Sequence, residues 1–219
     1  MKAPPATRRT SSKRAFASKR RTALDLNLRV FDRAVAADNY EIVLATLGIG
    51  VLELSRRIRP TDTQGPIVDY EMQTIEDMLG AAYVACQGQI SAVVRAALKI
   101  PGQTLGETEL RALGPRFNPE YSKNEVLWAL ANYFKHRDDW SKDTWDKPPK
   151  RSKQTVDIIK SAGLAWGSNE NLRAGAAALG NKQYCEMAVF NRIVKRWSAH
   201  VREHVSKLRE GQRVTRIRG

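Results

Sequence analysis

From Met72 to Ala97 apolar residues return every three or four positions, at Met72, Ile75, Leu79, Ala82, Cys86, Ile90, Val93 and Ala97, until Pro101 stops the run. Residues at those spacings share one helical face, and proline lacks the backbone donor that would carry the helix onward. The pattern predicts a core helix of about seven turns, starting near Asp69. An apolar stripe that long has to be covered by other elements.

The remaining chain offers further helices to cover it. Phe190, Ile193, Val194, Trp197, Val201, Val205 and Leu208 form a second stripe, with Arg192, Lys195 and Arg202 opposite. A helix over Asn169 to Leu179 is expected to end on Gly180 as its cap, and a short one is expected at Thr155 to Ser161. Between Trp140 and Lys153, with Pro148 and Pro149, the spacing predicts a polar crossover, and residues 101–119 predict a loop with one short turn. Near the start, Leu24, Leu26, Leu28 and Val30 alternate as in a strand, while Leu24, Leu28, Phe31 and Val35 suit a helix reaching Ala37. Helix is the expectation, because Ala34 to Ala37 extends it and no partner strand is visible nearby. Glu41 to Arg59 is expected to be a buried core helix, with Gly48 and Gly50 letting a neighbour approach closely. Its uncharged stretch, Ile42 to Leu52, is too short to span a bilayer, so no membrane association is expected. The fold reading is all-α: a helical bundle of about five to seven helices, one domain over 22–206, flanked by disordered basic tails at 1–21 and 207–219.

The formal net charge of +14 is a property of those ends. Residues 1–21 hold eight Lys or Arg and no acid, whereas 207–219 hold five bases against Glu210. The body between them carries 24 bases and 22 acids. A tail this polar cannot bury enough apolar surface to fold alone. Arg8, Arg9, Lys13, Arg14, Lys19, Arg20 and Arg21 at one end, and Arg213, Arg216 and Arg218 at the other, are the candidate nucleic-acid-binding residues. They would attract phosphate backbones by counterion release without reading sequence. A solubilising tail, or an Arg- and Ser-rich transit segment at 1–21, remain the alternatives. Cys86 and Cys185 are too few and too far apart to be a disulfide framework or a zinc site, which points to a reduced, cytoplasmic setting.

The stretch Trp128 to Trp140, WALANYFKHRDDW, carries the candidate chemistry. On a helix over Ser122 to Asp138, Leu127, Leu130, Ala131 and Phe134 fall on the core side, while Glu125, Ala129, Asn132, His136 and Asp139 fall opposite, toward solvent, a cleft or a second protomer. Asn132 and His136, four apart, share a face, and histidine is suited to acid or base work near neutral pH. His200 to His204 matches the HxxEH zinc pattern, but a third protein ligand has almost no chain left in which to occur, so no metal or other cofactor is expected. No glycine loop cradles phosphate, and the aromatic residues do not interleave with bases as a stacking surface requires.

Asn132 to His136 resembles the RNxxxH signature of the HEPN superfamily, with Ala131 standing where the signature arginine would be. The resemblance covers these few residues and the all-helical layout. It implies an RNA-binding protein or metal-independent endoribonuclease of a toxin–antitoxin or phage-defence system, acting as a homodimer whose motifs meet across a cleft. It further implies His136 as acid or base, Asn132 as orienting group, Lys135 as the supplied cation, and an antitoxin or other protein as partner. The competing readings are a nonenzymatic nucleic-acid-associated adaptor, or a ribonucleoprotein subunit, that uses the basic tails.

Overall fold

The structure is a computed structural model that describes residues 25–58, 66–182 and 185–217. At its centre stands α3, Pro66–Leu98, whose 33 residues extend about 50 Å. Proline at its first position costs nothing, since that N–H has no partner within a helix. Of the stripe read from the sequence, Ile75, Leu79, Ala82, Cys86, Ile90, Val93 and Ala97 are buried along it, Met72 is half-buried, and Tyr83 is buried beside them. Burial pushes the Cys86 thiol up to about 12, so it stays protonated.

Before α3 come α1, helical over 25–36, and α2, Asn39–Arg57. After it follow α4 (Glu107–Ala112), α5 (Lys123–His136), a 3-10 turn (Arg137–Asp139), α6 (Lys142–Asp146), α7 (Lys150–Ser161), α8 (Asn171–Ala178) and α9 (Ala188–Ile217). Among the described residues there is no strand, only an isolated bridge between Arg116 and Ser122. The protein is thus all-α, and α2, α4, α5, α8 and α9 all pack on α3. Closest of these is α5, because Gly80 of α3 leaves room for the Phe134 ring, which a Cβ there would strike.

Several expectations change. The crossover from Trp140 to Lys153 contains α6, whose Trp145 is buried, and α7 starts at Lys150 rather than Thr155. Five-residue α6 is too short to leave a periodic signature. The helix α9 runs through Ile217, past Ser206 where the sequence placed the end of the domain. Most consequential is α2. Only Tyr40, Leu44 and Val51 are buried there, while Ile42, Val43, Ile49 and Leu52 are exposed, so it is a half-covered helix and not a core one. Gly48 and Gly50 do take close neighbours, Met187 and Met78.

Candidate functional site

Helix α5 starts from a reciprocal cap: the Ser122 hydroxyl accepts from the Glu125 N–H at 3.2 Å, and the Ser122 N–H donates to the Glu125 carboxylate at 2.8 Å. From Asn124 to Ala131 the helix is buried except at half-buried Trp128. Glu125 and Ala129, projected onto a solvent face, are therefore interior, because α3, α4, α7, α8 and α9 enclose these turns from several sides. The solvent-facing side opens only in the last turn.

The three predicted catalytic residues do not converge. Asn132 Oδ1 accepts from Gln87 Nε2 at 2.8 Å, and Gln87 also donates to Trp128 O, which ties Asn132 to α3. No hydrogen bond joins Asn132 to His136. His136 is just over half exposed, and its Nδ1 lies 3.6 Å from Asp139 Oδ2. Lys135 is exposed beside it. Arg137 does not stand in for the signature arginine. It bonds Asp77 of α3 at 2.7 Å and lies over the Phe134 ring at 4.9 Å. Arg111 is stacked on Trp128 at 4.2 Å, eight residues and about 12 Å of helix before His136. Of the tail cations, Arg8, Arg9, Lys13, Arg14, Lys19, Arg20, Arg21 and Arg218 lie outside the described residues. Arg213 and Arg216 fall within the α9 backbone.

A feature the sequence reading missed forms at the end of α5. Tyr133, Trp140, Trp145 and Trp166 come together, with ring centroids 5.8 Å apart for Tyr133–Trp140, 6.3 Å for Tyr133–Trp145 and 6.3 Å for Trp145–Trp166. Lys160 Nζ donates to Trp145 O and lies 5.6 Å over its ring. Along the sequence aromatic and basic residues do not interleave; α6 and the loop before α8 gather the dispersed aromatics, with Lys160 over Trp145. The usable signal was the three tryptophans at 140, 145 and 166 around the Pro-Pro break.

Beside this cluster an open cleft of about 240 Å³ is lined by Tyr133, Arg137, Trp166, Ser168, Asn169, Gln73 and Glu76, among others. Trp166 is 41% exposed at its mouth. The loop that presents it is fixed by Asn171, whose Nδ2 donates to Tyr133 Oη and to Ala165 O at 2.8 Å, while its Oδ1 accepts from Ala165 N. Gly167, at φ +74°, makes the turn. On the floor, Glu76 accepts from the N–H groups of Leu172 and Arg173 at the start of α8 and from Arg173 Nε at 3.0 Å. Burial raises its carboxyl above the ordinary value, and those bonds act against that rise. Among the described residues no group of three His, Cys, Asp or Glu is placed to hold a metal, and His204 Nε2 lies 2.8 Å from Gln103 Oε1 instead.

The architecture defines the protein's class as an all-α bundle with an aromatic, amide-lined cleft at the end of one inner helix. No protein-family model, curated protein or solved structure matches the chain.

Proposed function

We propose that the protein is a nonenzymatic module that binds single-stranded RNA. The supporting observation is the half-exposed Trp166 set beside Arg137 in one open cleft, on a chain whose ends are strongly basic. A base stacks on an indole face whatever its sequence, and the Gln73, Ser168 and Asn169 side chains offer donors and acceptors to a base edge. Arg137, held by Asp77 at 2.7 Å, brings a cation to the cleft wall for a phosphate, and the tails supply further contacts that carry no sequence information. The expected result is binding of an unstructured RNA pool that falls steeply with salt. Trp166→Ala should weaken it about tenfold or more, the worth of one stacked base. Equal affinity in wild type and variant, read by fluorescence anisotropy, overturns the cleft as the binding site.

A second reading, a HEPN-like metal-independent endoribonuclease, is favoured by one observation: the His136 imidazole is open to solvent, with the Asp139 carboxylate 3.6 Å from its Nδ1. It predicts cleavage of the same pool without metal, lost in His136→Ala. Binding without cleavage selects the first reading.

A further inference from the structure

Helices α1 and α2 run end to end and antiparallel along α3. Asn27 Nδ2 donates to Lys99 O at 2.8 Å, Gln89 Nε2 donates to Ala34 O at 2.7 Å, and a Cβ at Gly50 would stand 2.8 Å from Met78 Cε. One long register fastens both helices by a single side, and the opposite side has no cover among the described residues. Six exposed aliphatic side chains lie on this pair: Leu26, Val30, Ile42, Val43, Ile49 and Leu52, of which Ile49 is 71% and Ile42 67% exposed. Scattered single apolar residues on a surface are ordinary, but a contiguous set is a contact surface.

Along α2 the outer stripe is Asp38, Ile42, Ala45, Ile49, Leu52 and Arg56, all exposed and separated by alternating steps of four and three. That is the spacing of a coiled-coil seam. The seam opens on an acid and closes on a base. Against a second copy of itself running antiparallel, Ile42 meets Leu52, small Ala45 meets Ile49, and Asp38 meets Arg56 at both ends, so one two-fold axis satisfies every position. Parallel pairing would set Asp38 against Asp38 and Arg56 against Arg56. A membrane surface would have to take Asp38 at one end of the stripe and Glu53 at its edge into the interface, where basic residues are the usual flanks.

We propose that a second copy of this chain covers the face, α2 packed antiparallel on α2 across a two-fold axis. In that dimer α3 stands between α2 and α5 within each protomer, so the two His136 residues lie on the far sides and not across a shared groove. The interface is independent of the cleft at Trp166.

Sedimentation equilibrium of the full chain from about 1 to 100 µM tests it. Wild type should reach twice the chain mass, and Ile49→Asp should stay at the chain mass with an unchanged circular dichroism spectrum, because position 49 is open to solvent. Asp38→Arg and Arg56→Asp should each weaken association about tenfold, and the two together should restore it. The proposal is overturned by a wild type that stays at the chain mass throughout, by Ile49→Asp that still doubles, or by failure of the paired reversal to restore association. It is equally overturned by wild type that floats with phosphatidylserine vesicles as a monomer and is released by Ile49→Asp, which would assign the face to a lipid surface.

Discussion

Helix α5 is the more polar in sequence, with Asn124, Glu125, Asn132, Lys135 and His136, yet it is enclosed from Asn124 to Ala131. Helix α2 holds eleven consecutive uncharged residues, yet only three of its residues are buried. The contrast separates two quantities that composition alone merges: how apolar a helix is, and how many neighbours the fold gives it. Five helices surround α5, whereas α2 rests on α3 and α9. Polar groups survive inside α5 mainly because they find partners, the Ser122–Glu125 cap and the bond from Asn124 Nδ2 to Arg111 O among them, with buried Asn124 Oδ1 left unpaired as the exception. Apolar groups on the outer side of α2 have none among the described residues.

The largest test of this contrast is Leu130→Ala. Leu130 is fully buried in the enclosed part of α5, so the lost transfer energy and the cavity should cost about 2–5 kcal/mol. In a chain of this size that lowers the melting temperature by about 2–4 °C for each kcal/mol, read by thermal denaturation. A loss below about 1 kcal/mol would mean that α5 is not enclosed, and the comparison with α2 would collapse.

Of intermediate size is Ser122→Ala, expected to cost about 1 kcal/mol through the lost acceptor for the Glu125 N–H. Because Ser122 is itself buried and its hydroxyl also donates to Arg111 O, the loss should exceed that of an exposed cap such as Ser141→Ala, which accepts from Thr144 N on open α6. Equal losses in urea titrations would show that enclosure adds nothing to the cap.

Much of the fold was legible because the two longest helices write their burial into their periodicity. Met72 to Ala97 and Phe190 to Val205 return apolar residues mostly at steps of three and four, and all of these but half-buried Met72 are buried. The candidate site was less legible. A helical projection gives angles around one axis and does not say how many helices arrive there, so it sent Glu125 and Ala129 outward and left Asn132 unattached to Gln87. It had His136 and Asp139 exposed correctly, since the last turn extends beyond the packing helices. The cleft was invisible for a different reason. Tyr133, Trp140, Trp145 and Trp166 are joined only by a turn, a five-residue helix and a glycine loop, none of which has a period to read.

The smallest effect concerns how α2 is held where it is covered. Near its start, Glu41 accepts from Lys195 Nζ and Asn191 Nδ2 of α9, both at 2.9 Å, and Tyr40 Oη donates to Asn191 Oδ1 at 2.7 Å. The bond from Lys195 is the main cause that holds the Glu41 carboxyl below its usual value. A folded-state value below the unfolded one means that the stabilisation is present above the ordinary carboxylate range and is lost as pH falls through the folded value. Lys195 is more than half exposed, so solvent screens the pair and its worth is under about 1 kcal/mol. Urea midpoints should therefore show wild type slightly more stable than Glu41→Gln at neutral pH, with the gap narrowing as pH falls below the ordinary carboxylate range and closing as the folded-state carboxyl takes up its proton. If the gap persists there undiminished, the tether acts through shape and neutral hydrogen bonds. The start of α2 would then resemble the buried polar network of α5 more closely than its solvent-screened position implies.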